Sequence, residues 1–406
     1  MLRRTVAGWR CVAAIAVASF VLSAPADSSS DVQTLASGNT GFALDLYARL
    51  QSQKGNVVIS PYSISSALAM TYAGARGTTE IEMAKVLRFN MGQARTHAAF
   101  AQAAHSLDEA GRAAGVELTT ANSLWPAVNN RLLPTYSALM RQRYGVTITP
   151  LDYARQREKA RQTINGWVEA KTRRKIKDLL GRGVLTPDTT LVLVNAMYFR
   201  GKWAAAFQPE RTQPEDFFVP GAGKVRTPMM RQRGTFAFAD VPEARLLEMP
   251  YQGGRLSMVF VEPNRSNGLS PVERSLTPAK LEKWLKMLRP REMHVVMPRF
   301  RMEWGTFDLR EPLKALGIRK AFALGADFSG MNGSRDTWID HVLHKAMIEV
   351  NEQGATAAAA TGVAMRKSAP PEETIFRADR PFLFLIRDRQ TGTVLLLGRL
   401  TDPRKR

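Results

Sequence analysis

Arg366, Lys367 and Ser368 stand side by side in a stretch that runs on into two prolines, RKSAPPEE. A charged, proline-stiffened segment stays accessible, and the chemistry it invites is proteolysis. Just before it comes GATAAAATGVAM, residues 354–365, with no proline and no charge. A linker does not fit, because patterned strands of one globular unit flank the segment on both sides. A helix does not fit either: Gly354 and Gly362 bracket a run too short to hold itself without tertiary contacts. A strand not yet in a sheet does fit. Ala355, Ala357, Ala359 and Thr361 would share one face, small enough to lie between two existing strands.

Other candidate chemistry is sparse. There is no G-x-S-x-G elbow, no S-x-x-K, no H-E-x-x-H and no phosphate-cradling glycine loop. His341 and His344 are three apart on an expected strand, so they point to opposite faces and share no metal ion; His344 reads as part of a buried hydrogen-bond network. The chain is expected to be no enzyme and to need no cofactor.

The elements that position these residues follow from pattern. Helices are expected at 40–54, after the Ser60-Pro61 break to Gly74, in TTEIEMAKVL with a threonine N-cap, and over 95–113. ELTTANSLWPA reads as a strand. LPTYSALMRQRYG and the long run ARQREKARQTINGWVEAKTRRKIKDLL read as helices. TTLVLVNAMYFRGKW, KVRTPMMRQRGTFAFADV, ARLLEMPY, LSMVFVEP and MHVVMPRFRMEW read as strands. A helix at 278–288 and another in LREPLKALGI lie among them, and three last strands lie near 342–350, 382–386 and 393–400. Helices first and strands later argue an α+β fold rather than βαβ winding.

The 406-residue chain carries a formal net charge of +21. Ten Lys or Arg fall between Arg155 and Arg182, read chiefly as the solvated face of amphipathic helices and secondarily as a weak polyanion site. The N-terminus, MLRRTVAGWR followed by fourteen largely apolar residues and PADSSS, reads as a secretory signal over 1–26, with 27–406 as the folded domain. Cys11, the single cysteine, lies in that leader, so no disulfide framework is expected and the core must carry stability. A secreted protein, extracellular or periplasmic, with no membrane span, is the expectation.

Further motifs line up in order: NVVISPYSISSALAMTYAGARGTTEIEM, TTANSLW, INGWVEAKTRRKIKDLL, LVLVNAMYFRGKWAAAF, VRTPMM, ADFSGM, LHKAMIEVNEQGATAAAAT and FRADRPFLFLIRDRQTGTVLLLGRLTDP. Together they resemble the serpins. The resemblance implies a single α+β domain with three β-sheets, eight to nine helices and an exposed reactive-centre loop at about 352–376. It implies a monomeric, metastable suicide-substrate inhibitor of serine proteases: the target cuts the loop, and the cleaved loop inserts into the central β-sheet before water releases the acyl-enzyme. A non-inhibitory member of the fold, acting as chaperone, carrier or polyanion-binding protein, is the alternative.

By the same resemblance Glu352 and Gly354 form the base and hinge of the loop. Ala355, Ala357, Ala358, Ala359, Ala360 and Thr361 form its inserting run. Ala355 stands where the family usually has Thr or Ser and remains small. Ser60, Ser63, Asn195 and His344 match the polar cluster, or shutter, beneath the opening sheet. Lys202 and Trp203 match the breach, where insertion begins. Counting from Glu352 puts the cut between Ser368 and Ala369; counting back from FRADRPF puts it after Lys367. Arg366 or Lys367 suits a trypsin-like target, and Ser368 an elastase- or subtilisin-like one.

Overall fold

The computed structural model describes residues 28–112, 115–353 and 374–405. The leader read as an export signal, the hinge from Gly354 to Thr361 and the reactive centre at 366–369 all lie outside the described residues.

The chain opens with helix α1 (Ser28–Leu50), strand β1 (Val57–Ile59) and helices α2 (Pro61–Tyr72), α3 (Gly77–Leu87) and α4 (Gly92–Arg112). Strand β2 (Val116–Pro126), helices α5 (Pro134–Tyr144) and α6 (Tyr153–Lys171) and strand β3 (Leu191–Gly201) follow. Four strands come next, β4 (Gln213–Val219), β5 (Gly223–Asp240), β6 (Ala244–Pro250) and β7 (Leu256–Pro263). Then come helices α7 (Leu269–Ser275) and α8 (Pro278–Met287) and strands β8 (Arg289–Pro298) and β9 (Phe300–Asp308). Helices α9 (Arg310–Leu316) and α10 (Ser329–Asn332) lead to β10 (His341–Val350), β11 (Ile375–Arg377), β12 (Phe382–Asp388) and β13 (Val394–Leu400). The order is the expected α+β one, with ten α-helical segments among the described residues, α10 a single turn.

Local chemistry explains the boundaries. Ser60 caps α2 by accepting from the Ser63 amide at 3.3 Å, and Pro61 occupies the first turn, where no amide donor is needed. Asp152 and Thr277 cap α6 and α8 in the same way, at 3.0 and 3.2 Å. Helix α3 departs from its expected threonine cap. It starts at Gly77 with no side-chain cap, and Thr79 instead accepts from the Asp327 amide at 3.0 Å.

Two expected elements divide. MHVVMPRFRMEW is not one strand but β8 and β9, which part at Arg299 and enter different sheets. The long run to Leu180 is helical only to Lys171. Thr172 Oγ1 donates back to Val168 O at 2.8 Å and accepts from the Ile176 amide at 3.1 Å, while Arg173, Arg174 and Asp178 take left-handed backbone angles. Side-chain competition for backbone groups ends the helix despite its strong propensity.

The strands form a four-stranded sheet, β2-β3-β10-β9, and a nine-stranded one. The latter runs β1-β13-β12-β7-β6-β5-β8-β11, with β4 on β5. Strand β5 is long enough to pair with β4 and β8 along its length and with β6 at its end, which fuses two of the three expected sheets into one hydrogen-bonded unit. Helix α2, buried at every residue, fills the space between the sheets.

Strands β3 and β10 are buried on both faces, which is why β3 is a near-continuous apolar run; in β10 the apolar residues are interrupted by His344 and Lys345, which find hydrogen-bond or ion-pair partners. Alternate residues part to two cores. Leu193, Met197, Phe199, Ala346 and Ile348 join the main one around α2. Val194, Tyr198, Leu343 and Met347 face a second, smaller core under α6.

Candidate functional site

Strands β3 and β10 pair in parallel, with His341 opposite Val192 and Glu349 opposite Arg200. Their outer neighbours, β2 and β9, are antiparallel to them. Parallel pairing is slightly the weaker kind per residue. A single strand running the other way and entering between β3 and β10 would be antiparallel to both.

One polar cluster crosses this boundary. Asn122, Asn195 and His344 occupy register partners on β2, β3 and β10. The Ser60 amide donates to His344 Nε2 at 3.2 Å, so that nitrogen carries no proton. His344 Nδ1 therefore carries it and donates to Asn195 Oδ1 at 2.5 Å. The Asn195 amide nitrogen donates to Ser63 Oγ and to Asn122 Oδ1, each at 2.5 Å. Ser63 Oγ donates to Asn122 Oδ1 at 2.9 Å, and Ser60 Oγ to the Leu395 carbonyl at 2.8 Å. Burial pushes the pKa of the His344 imidazole down to about 3, which keeps the ring neutral, and the Ser60 amide at Nε2 selects this tautomer. Ser60, Ser63, Asn195 and His344, singled out in the sequence, thus meet in one place. Asn122, half-buried on β2, was not singled out, although an amide in the strand TTANSLW calls for partners. His341 belongs elsewhere: its Nδ1 sits 2.8 Å from Asp308.

The end of β10 is held by the chain after β3. Trp203, 1% exposed, donates from its indole nitrogen to Asn351 O and from its amide to Gln353 O, both at 2.9 Å. Its ring stacks on Tyr251, with centroids 4.5 Å apart. Gly201 permits this packing, since a Cβ there would lie 2.4 Å from the Tyr251 ring. The Phe207 amide donates to Glu352 O at 3.0 Å, and Lys202 anchors the turn through backbone bonds to Gly115 and Gln252. The Glu352 side chain, largely buried, accepts from Thr212 Oγ1 at 3.0 Å and pairs with Arg299 at 3.5 Å. Arg200 Nη2 donates to Gln353 Oε1 at 2.5 Å. Trp203, Lys202 and Glu352 therefore converge where the loop begins. Thr212, Arg299, Asn351 and Tyr251 complete the arrangement and carry no local sequence signal.

A strap, residues 172–185, lies over the same boundary on the α6 side. Ile176, Leu179 and Leu180 bury with Tyr198 of β3 and with Leu343 and Met347 of β10. Lys175 stands 5.1 Å above the Tyr198 ring, and Lys345 Nζ on β10 donates to the Lys177 carbonyl at 2.9 Å. Asn165 of α6 bonds Leu180 through both its amide and its carbonyl, at 2.8 and 3.0 Å. Among the described residues there is no cluster of three or more potential metal ligands, and no helix is long and apolar enough to cross a membrane.

The chain is similar along nearly its whole length to known proteins. A porcine (Sus scrofa) leukocyte elastase inhibitor is 41% identical over 383 residues, which span 92% of this chain and all of that protein. The human leukocyte elastase inhibitor is 39% identical over 384 residues, with the same coverage. Among solved structures, uncleaved ovalbumin superposes with a TM-score of 0.85 at 30% identity, over 91% of this chain and all of that one. Maspin superposes with a TM-score of 0.85 at 24% identity, over 92% of this chain and all of that one, a likeness of fold alone.

These relatives correct the expectation of secretion. The leukocyte elastase inhibitors are intracellular members of their family that lack a secretion signal, so the similarity points away from an extracellular or periplasmic protein. The sequence model described as Serpin (serine protease inhibitor) matches residues 37–403, and with relatives of this identity and coverage the chain belongs to the serpins, a family of protease inhibitors rather than enzymes.

Proposed function

We propose that the chain is a suicide-substrate inhibitor of serine proteases that traps its target by inserting the cleaved loop between β3 and β10. The observation that carries this reading is the parallel β3–β10 pair, bridged by Asn195 and His344, lying directly beside the exit of β10. The segment after that exit is small and uncharged from Gly354 to Met365. Antiparallel insertion replaces one parallel interface with two antiparallel ones.

The covalent steps balance simply. The protease serine oxygen attacks the carbonyl carbon of residue 366, 367 or 368. The peptide bond to the next residue breaks, the new amine leaves on the C-terminal fragment, and an ester joins protease to loop. Hydrolysis of that ester would free the protease. Inserting a segment from 355 to 367 moves the ester roughly 45 Å along the sheet, at about 3.4 Å per residue. The native fold is thus held by a barrier rather than by lowest free energy.

Two target classes remain in play. Arg366 and Lys367 suit a trypsin-like pocket, whereas Ser368 suits the pocket of an elastase, the class of protease named in the porcine and human relatives. Incubation of the full chain with trypsin and with an elastase, followed by denaturing electrophoresis and mass spectrometry, tests both points. A covalent band supports the trap, and the mass of the released fragment assigns the bond. Clean cleavage with no covalent band for either protease overturns the reading and leaves a non-inhibitory serpin.

A further inference from the structure

The four-stranded sheet ends on β2, and part of that strand's outer edge is open. Gly115 O accepts from the Lys202 amide at 2.7 Å, and the Ala127 amide donates to Thr190 O at 2.8 Å. Both bonds run toward β3, and the β2–β3 register is unbroken between them. Odd-numbered residues of β2 therefore turn their main-chain groups toward β3, and even-numbered ones turn theirs outward. Pro126 O and the Val128 amide meet a partner there, Leu151, at 2.9 Å each. Among the described residues, no main-chain bond reaches the outward groups of Val116, Leu118 and Thr120. The edge is not blunted either: β2 has no proline before Pro126 and no bulge.

Two clefts give access to it. One of about 750 Å³ lies between the end of α4 and the start of β2, along Val116 to Thr119, and a second of about 300 Å³ opens beside Thr120. The two sides of the first differ. Leu107 and Leu118 line it on the side of the main core, whereas Arg173 on the strap and Arg200 on β3 line it on the other. Arg200 follows Tyr198 at strand spacing and so shares the face that β3 turns toward α6 and the strap. Arg112 and Lys202 add to the cations. Asp108 and Glu117 are the carboxylates, and Glu117 already pairs with Arg173 at 3.6 Å.

We propose that this edge of β2 accepts an extended peptide of a partner protein, with alternating acidic and apolar side chains, as a fifth strand of the sheet. Three observations favour that occupant. The outward amides and carbonyls recur at every second residue, and an extended main chain is what satisfies such a row. The stretch from Val116 to Thr120 matches a segment of about five residues, roughly 17 Å long. Successive side chains of an added strand point to opposite faces, so acids would meet Arg173 and Arg200 while apolar residues meet Leu107 and Leu118. A polyanion without peptide groups offers the charge but not the row of main-chain partners. The site is separate from the β3–β10 boundary and does not rest on the inhibitory reading.

The probe is a fluorescein-labelled, end-blocked hexapeptide of alternating glutamate and valine, titrated against the full chain. Saturable binding is expected, and its absence overturns the proposal. N-methylation of the glutamates or of the valines gives two isomers of equal charge. One sets its methyl groups against β2 and should bind about tenfold or more weakly; the other turns them to solvent and should bind like the parent. Parent-like binding by both assigns the attraction to charge alone and overturns the added strand. Thr120→Pro deletes one outward donor and spares the ladder to β3, so it should weaken the peptide about tenfold; unweakened binding to this variant overturns the assignment. Hydrogen exchange on the unaltered chain covers the case in which the variant fails to fold. The amides of Leu118 and Thr120 should exchange fast in the free chain and slowly with peptide bound. Slow exchange in the free chain means that the edge is already covered. Protection confined to β3 and β10 means that the peptide has entered between those strands. Either result overturns the proposal.

Discussion

His344 on β10 donates its Nδ1 proton to Asn195 on β3, its register partner in the parallel pair. Insertion of any strand between them must break this bond, and the Ser60, Ser63 and Asn122 contacts behind it hold the two side chains in place. Under the insertion mechanism proposed above, the bond acts as a latch on the boundary as well as a means of satisfying buried polar atoms.

Removing one side of the latch should loosen the closed sheet. Asn195→Ala leaves the fully buried His344 Nδ1 without its acceptor, while Asn122 Oδ1 keeps Ser63 Oγ, at a cost of about 1–3 kcal/mol. Urea unfolding should report that loss. Inhibitory capacity should also decay faster on storage at 37 °C than in the unaltered chain; an unchanged decay rate would mean that the latch does not limit opening.

Acid should act through the same residue. Burial places the folded-state pKa of His344 at about 3, well below the ordinary value of 6.5. A depressed pKa contributes stability that is fully present above 6.5 and is lost as pH falls from there toward 3, because the unfolded chain takes up the proton first. Protonation would also deprive the Ser60 amide of its acceptor. His97, lowered to about 4 by burial and by Arg143, contributes in the same sense. His344→Gln should therefore flatten, without abolishing, the fall in stability between pH 6.5 and 3; a slope identical to that of the unaltered chain would refute the role of His344.

The base of the loop offers a local test. Trp203→Phe keeps most of the ring packing on Tyr251 and deletes the indole donor to Asn351 O, for about 1 kcal/mol. Amide exchange at 351–353 should rise while the rest of β10 stays protected. Glu352→Gln, which keeps a side-chain acceptor but loses the charge facing Arg299, should give the smaller change of the two.

Bulk in the inserting run should separate cleavage from trapping. Ala357→Arg places a long cation where a small residue would have to lie between β3 and β10. The protease should cut the loop at a similar rate, and the yield of covalent complex should fall by about tenfold or more, since a buried unpaired charge is strongly disfavoured. Full complex yield from this variant would sink the insertion model.

Much of this protein was legible in its residues. The apolar run on β3 and the Ser60-Pro61 start of α2 each report a local requirement: burial on both faces and a helix cap. The α+β class and the family followed from such signals in order. Tertiary structure decided the rest. The helix expected to run to Leu180 stops at Lys171, because Thr172 turns the chain and Leu180 finds Asn165 and the sheet. The joining of Asn122 to His344, the grip of Thr212 and Arg299 on Glu352, and the strap across β3 and β10 unite residues tens to hundreds of positions apart. No local pattern records such pairings, since they are set by which strands come to lie side by side. Sequence determined which residues had to be buried, capped or small; packing determined which of them meet.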